Sequence, residues 1–291
     1  MDNFEFKSQV NLKDFCTFHI GGSAKFLFVI NTNSKLINVC LFAKAHNIKY
    51  KVIGLGANLL FDDLGYDGLI IVNKTNEILF RNNVVYCSSG VNVTNLIMKC
   101  YARSLSGLER LAGIPSTVGG AVVNSLGAFE TNFCDFVEYV ECYHKNDLTK
   151  KLRLSKDACK FAYRTSLFKS GEYIITRVKL KLHKDDQTLI RKRITEAIEK
   201  KKSTQPLNYP SAGSVFKRTN IIPAKVIDEL GLKGTKIGGA EISTKHAGFI
   251  INTNSATSED VKNLIKLIQE KVKSATNEDL DPEIEFVEYW I

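Results

Sequence analysis

The chain has no apolar run approaching the ~20 residues that a membrane-spanning helix requires, so no membrane partner is expected. Its opening stretch, Met-Asp-Asn-Phe-Glu-Phe-Lys, is acidic and lacks an apolar core, which argues against a secretory leader and for a cytoplasmic protein. No Cys-x-x-Cys pair and no histidine spacing fit for zinc occurs, so no metal site is expected. The seven cysteines (Cys16, Cys40, Cys87, Cys100, Cys134, Cys142, Cys159) form an odd set; Cys40 and Cys100 lie in apolar segments, and buried thiols fit better than a disulfide framework. Internal repeats and low-complexity tracts are also missing. The net charge of +9 suits anionic ligands without identifying them. Much of it comes from residues 191–202, where no aromatics interleave with the basic side chains, so a nucleic-acid partner is not expected. Ile190, Ile194 and Ile198 mark the apolar face of that segment, leaving its charges to a solvated helix surface.

Two common phosphate-binding signatures are lacking as well. Without Gly-Lys-Ser or Gly-Lys-Thr there is no P-loop. Gly54-Leu55-Gly56 wants the third glycine of a Rossmann fingerprint, and Asn58 stands where its helix should begin. What is present instead is a pair of glycine segments. Ile53-Gly54-Leu55-Gly56-Ala57-Asn58-Leu59 follows a strand-like run at 50–53. The stretch 107–127 contains Gly113-Ile114-Pro115-Ser116-Thr117, then Val118 and Gly119-Gly120-Ala121. Gly113, Gly119 and Gly120 permit φ > 0 around a rigid proline, giving a turn that is no ordinary helix. Its hydroxyls and unblocked amides suit an anion such as a diphosphate, although close backbone packing alone uses glycine too. Two such segments suggest a dinucleotide lying across two elements, in a different phosphate-binding fold.

At 291 residues, with 44% hydrophobic and 24% charged, the chain is long enough for two or three soluble domains. Strands are expected at 25–30, 50–53 and 69–72, with a helix at 34–46. A second unit opens with a strand at 84–88 and a helix capped by Asn92, whose Leu96, Ile97, Cys100 and Tyr101 recur at helical spacing. Strands follow at 136–143 and 173–182, the latter alternating Val178, Leu180 and Leu182 with Arg177, Lys179 and Lys181. A basic helix at 187–202 ends before Pro206 and Pro210, which bound a linker. Beyond it come a short helix from Pro223 to Gly231, a Gly238-Gly239 turn and a strand at 249–251. A helix at 258–273, with Thr257 and Asp260 placed as a capping pair, and a strand at 284–289 close the chain.

Six motifs in this order resemble the UDP-N-acetylenolpyruvoylglucosamine reductase family over nearly the whole chain. They are Thr17-Phe-His-Ile-Gly-Gly-Ser23, the two glycine segments, Phe161-Ala-Tyr-Arg-Thr-Ser-Leu-Phe-Lys169, Pro210-Ser-Ala-Gly-Ser-Val-Phe-Lys-Arg218 with Ile237-Gly-Gly-Ala-Glu-Ile-Ser-Thr-Lys-His-Ala-Gly-Phe249, and Leu280-Asp-Pro-Glu-Ile-Glu-Phe286. The direct run from Arg164 to Leu182 and the Lys217-Arg218 pair fit the shorter of the family's two forms. The resemblance implies an α+β protein: a two-part FAD-binding module of the vanillyl-alcohol-oxidase/PCMH type plus a C-terminal α+β substrate-binding domain. The expected parts are 1–75 and 76–203 for FAD and 204–291 for substrate, in a monomer. It also implies an NADPH-dependent reduction of UDP-N-acetylglucosamine enolpyruvate to UDP-N-acetylmuramate in peptidoglycan precursor synthesis, with Gly54 to Leu59 and Gly113 to Ala121 wrapping the FAD.

Three residues match the family's catalytic positions. Ser214 matches the proton donor to the enolate, though by itself it would pass for a turn residue after Gly213. Arg164 matches the contact to the substrate carboxylate, where a planar guanidinium can hold two oxygens. Glu283 matches the carboxyl that assists the enolate; Glu285, two residues on and on the same face, is its rival, and the Pro-Glu-Ile context selects Glu283. Tyr163, Tyr209 and Lys217 are weaker candidates for substrate contacts, and His246 serves either a turn or a ligand. The family usually reads Met-Asn-Ala-Gly-Ala-Tyr-Gly where this chain has Asn124-Ser-Leu-Gly-Ala-Phe-Glu130, which puts a contact at Ser125 and Glu130 in question. An FAD-dependent oxidoreductase of the same fold acting on another substrate is the alternative. An alcohol oxidase, however, wants a base and not an enolate-protonating set.

Overall fold

The computed structural model describes residues 4–289; residues 1–3 of the acidic opening stretch and 290–291 lie outside them. The chain forms two compact units, both discontinuous in sequence: Met1–Glu5, Phe28–Gly54 and Ile70–Lys200 make the first, and Phe6–Leu27, Leu55–Leu69 and Lys201–Ile291 the second.

The first unit is built on a five-stranded antiparallel sheet in the order Asp147–Ser155, Val137–His144, Tyr173–Lys181, Val84–Ser88, Ile78–Arg81. Alternation sets its register. Val178 lies opposite Val140 on one side and Cys87 on the other, and all three are fully buried. A slip of one residue would turn that row outward, so the register is strongly specified. The helix Val93–Tyr101, capped by the Asn92 side chain at 3.1 Å from the Asn95 amide, adds Leu96, Ile97 and Cys100 to the same core. The strand Asp147–Ser155 escapes the sequence reading because, at the sheet's edge, it buries little besides Leu148.

The helix Gln187–Thr204 buries Ile190 and Ile194 as expected, but its charges are not all solvated. Arg193 donates from Nε to Glu109 Oε1 at 2.7 Å and pairs with Asp185, while the Ser106 hydroxyl donates to Glu109 at 2.7 Å. Burial pushes the Glu109 carboxyl up, but hydrogen bonds from the backbone, Ser106 and Arg193 outweigh it and hold the group below the usual carboxylate range. This network lines a cavity of about 270 Å³.

In the second unit the helix Ser258–Thr276 carries the expected capping box between Thr257 and Asp260 and buries Val261, Leu264, Ile265, Ile268 and Val272. Asp63 adds a second cap, accepting from the Ser258 amide at 2.8 Å. A three-stranded antiparallel sheet, Lys236–Ile237, Ala240–Ile242 and Ile250–Asn252, belongs to the same unit. A short parallel pair joins distant chain: Glu285–Val287 runs beside Leu59–Phe61. Every cysteine is free and buried, and burial raises the thiol pKa of Cys16 and pushes those of Cys40, Cys100, Cys134 and Cys142 to about 12. Among the described residues no helix is long and apolar enough to cross a membrane.

Candidate active site

The two glycine segments turn out to differ. Residues 54–58 form an irregular connection between the Tyr50–Ile53 and Leu59–Phe61 strands. Gly56 sits there at φ +63°, and an added Cβ would lie 2.3 Å from the Phe15 carbonyl oxygen, so only glycine fits without a shift. In the other segment Gly113 has φ +78°, but Gly119 and Gly120 are not in a left-handed turn. They lie in a short helix, Val118–Val123, capped by the Thr117 hydroxyl. The expectation of unblocked amides fails for the same reason. Val118 N donates to Val91 O (2.8 Å), Gly119 N to Ser89 O (2.7 Å), Gly120 N to Thr117 Oγ1 (3.2 Å) and Ala121 N to Thr117 O (2.8 Å). A Cβ on Gly119 would stand 3.1 Å from Ser89, so this glycine serves close packing of the chain on itself.

The two segments nevertheless touch, since a Cβ on Gly54 would lie 2.5 Å from Thr117 Oγ1. Neither Ile53 to Leu59 nor Gly113 to Ala121 contains a charged side chain. What they offer is main chain, the Ser116 and Thr117 hydroxyls and a close approach that a Cβ at Gly54 would fill. That donor set fits the diphosphate and polyol of a flavin dinucleotide.

Arg164 lies in the first unit, at the tip of a tight turn closed by Ala162 N to Thr165 O (3.1 Å) and Thr165 N to Ala162 O (3.2 Å). Its φ of +54° is a left-handed conformation that costs a non-glycine residue about 1–2 kcal/mol, and such strain concentrates at functional positions. The guanidinium donates to the carbonyls of Gly127 (2.9 Å) and Ser125 (3.5 Å), and it lies 5.5 Å from the exposed ring of Tyr163. Those carbonyls belong to the segment where the sequence departs from the family it resembles. Ser125 is buried, at φ +45°, and its hydroxyl accepts from Asn132 Nδ2 at 3.1 Å, so it supports the hairpin from within. Phe129 (φ +49°) and Glu130 (φ +63°) form the turn between the paired residues Gly127–Ala128 and Thr131–Asn132.

Ser214 and Glu283 lie in the second unit, and the backbone brings them together. Ser214 bridges Phe249, with Val215 N donating to Gly248 O at 2.9 Å. On the other side Glu283 N donates to Val215 O at 2.6 Å, and Phe216 bridges Pro282. Ser214 is exposed, beside Gly213 at φ +82°. The Glu283 carbonyl in turn accepts from Asn58 Nδ2 at 3.0 Å, a contact that sequence reasoning missed. The 17–23 motif joins here through Thr17 Oγ1 to Ser211 O (2.7 Å) and Asn252 Nδ2 to Phe18 O (3.2 Å). His246 serves the turn: its Nδ1 accepts from Gly248 N at 3.1 Å, and burial holds its pKa below the usual histidine value. Lys217 Nζ lies 4.0 Å from Asp281, a partly exposed pair of little energetic weight, and Tyr209 is exposed at the surface.

The chain is similar to known proteins over nearly its whole length. A profile for an FAD binding domain matches residues 24–151, and one for the C-terminal domain of UDP-N-acetylenolpyruvoylglucosamine reductase matches 205–287. The reductase of Pseudothermotoga lettingae is 38% identical over 286 residues, covering 98% of each chain, and that of Clostridium novyi is 34% identical over 99% of this chain and 94% of its own. The chain belongs to the UDP-N-acetylenolpyruvoylglucosamine reductase family. The crystal structure of the Thermus caldophilus reductase superposes on it with a TM-score of 0.83 at 32% identity, covering 97% of this chain and 99% of that one. This family member is therefore an α+β flavoprotein with an FAD-binding domain and a family-specific C-terminal domain.

Proposed function

We propose that the protein reduces UDP-N-acetylglucosamine enolpyruvate to UDP-N-acetylmuramate in the cytoplasm, with NADPH as the electron source. Residues 1–75 and 76–203 serve the cofactor and 204–291 the sugar nucleotide. Gly54 to Leu59 and Gly113 to Ala121 would hold FAD, which would supply the hydride chemistry between NADPH and the terminal carbon of the enolpyruvyl double bond. The electron pair of that bond then rests on the neighbouring carbon and the carboxylate oxygens. Arg164 stabilises this enolate through its fixed charge. The Ser214 hydroxyl gives its proton to the carbanionic carbon, completing the lactyl ether, and Glu283 assists the enolate step. Lys217, Tyr163 and Tyr209 contribute contacts to the substrate's polar periphery.

The observation that carries this reading is the hydrogen bond between Glu283 N and Val215 O, which sets the two residues matching the proton-transfer positions on adjacent segments of chain although they are far apart in sequence. The test is anaerobic. Substrate added to NADPH-reduced protein should restore the visible flavin band at once. In Ser214→Ala that restoration should fall by about 10³-fold or more, while bleaching by NADPH stays within about twofold of the parent. Undiminished turnover in Ser214→Ala removes Ser214 from its role. A flavin band that stays bleached in the parent protein overturns the substrate assignment.

A further inference from the structure

We infer that Asn58 is a positioning residue for Glu283, tying the carboxyl-bearing segment to the first glycine connection; the inference rests on the proposed role of Glu283. The parallel ladder of Glu285–Val287 on Leu59–Phe61 is three residues long, and Glu283 lies beyond its end. Asn58 extends the contact beyond the ladder's end. Its backbone oxygen accepts from Glu285 N at 2.8 Å, and its side-chain Nδ2 donates to Glu283 O at 3.0 Å. The grip thus spans Ile284, which is buried.

The other side of Glu283 is held as firmly. Its amide donates to Val215 O at 2.6 Å, next to Ser214, and the preceding residue is Pro282, whose ring fixes φ and which bridges Phe216. Both backbone polar groups of Glu283 are therefore engaged, one with Val215, next to Ser214, and one with Asn58. With N–H and C=O both held, the direction of the Cα–Cβ bond that carries the carboxyl is held too. Removal of the Asn58 amide frees one of the two anchors while leaving the Val215 anchor intact. A side chain in a segment resembling a cofactor loop thus works on the proton-transfer side of the reaction.

The test uses the FAD-loaded full chain and Asn58→Ala, with the isosteric Asn58→Asp, which cannot donate to a carbonyl, as the second variant should the first fold poorly. Amide hydrogen exchange over residues 281–287 should accelerate by about tenfold in either variant. Flavin reoxidation by substrate should slow by about tenfold to a hundredfold more than reduction by NADPH does. In a Glu283→Gln background the Asn58 substitution should add nothing further to the slowing. Additive effects of the two substitutions, equal losses in both half-reactions, or unchanged exchange would overturn the assignment. A Glu283→Gln protein that reoxidises at the parent rate would instead overturn the role of Glu283, and the exchange rates would then show whether Asn58 still holds that segment.

Discussion

Residues 53–59 and 113–121 are both short, uncharged and glycine-rich, but the chain uses them differently. In the first, Gly56 lets the connection press against Phe15 while Asn58 reaches across to Glu283. In the second, two glycines lie inside a capped helix whose first amides are consumed by the chain itself. A glycine in a sequence reports that something comes close, not whether the visitor is ligand, side chain or main chain. The distinction can be broken experimentally at single positions.

The largest effect is expected at Gly56. Gly56→Ala combines φ +63° with a Cβ 2.3 Å from a main-chain oxygen, so it should lower stability by about 3 kcal/mol or more, read as a loss in the urea midpoint. Next comes Thr117→Ala, which removes the cap of Val118–Val123 and should cost about 1–2 kcal/mol; Thr117→Ser should retain most of it. If Thr117→Ala unfolds at the parent midpoint, the helix does not depend on its cap. Glu130 is the converse case, a left-handed site without a glycine. Glu130→Gly should raise stability by about 1 kcal/mol, visible as an increased Tm.

The smallest effect concerns Gly248, whose amide is held by a side chain. The neutral His246 ring accepts that hydrogen bond, and burial keeps its folded pKa below the unfolded value of about 6.5. Between the two values the unfolded chain binds more protons. The stability is thus fully present above the unfolded pKa and is lost as pH falls toward the folded one, with a slope of at most about 1.4 kcal/mol per pH unit. Urea unfolding at pH 5.5, 6.5 and 7.5 should show that slope in the parent and its disappearance in His246→Gln.

The sequence announced elements whose signals are local. Thr257 and Asp260 mark a helix start by chemistry confined to four residues, and the alternation of Val178 and Leu180 marks a strand one face at a time. It hid elements whose existence depends on a partner. The edge strand Asp147–Ser155 is polar because one side faces solvent, and Val118–Val123 carries two poor helix formers that a cap and a tight fit against Ser89 override. The candidate site divides the same way. Ser214, Arg164 and Glu283 were legible as residue types in matching motifs. The carbonyls that hold the Arg164 guanidinium and the Asn58 grip on Glu283 arise from segments far apart in sequence, and no local pattern encodes them.

That separation also bears on the order of events at the ribosome. Asn58 and Glu283 lie 225 residues apart, and the Leu59–Phe61 strand pairs in parallel with Glu285–Val287. During synthesis the early strand leaves the exit tunnel with an apolar edge and waits for its partner through most of translation. The first unit, whose sheet is complete by residue 181, can fold well before that. Segment 285–287 therefore acts as a clasp that closes late, and its removal would leave the Leu59–Phe61 strand without that partner.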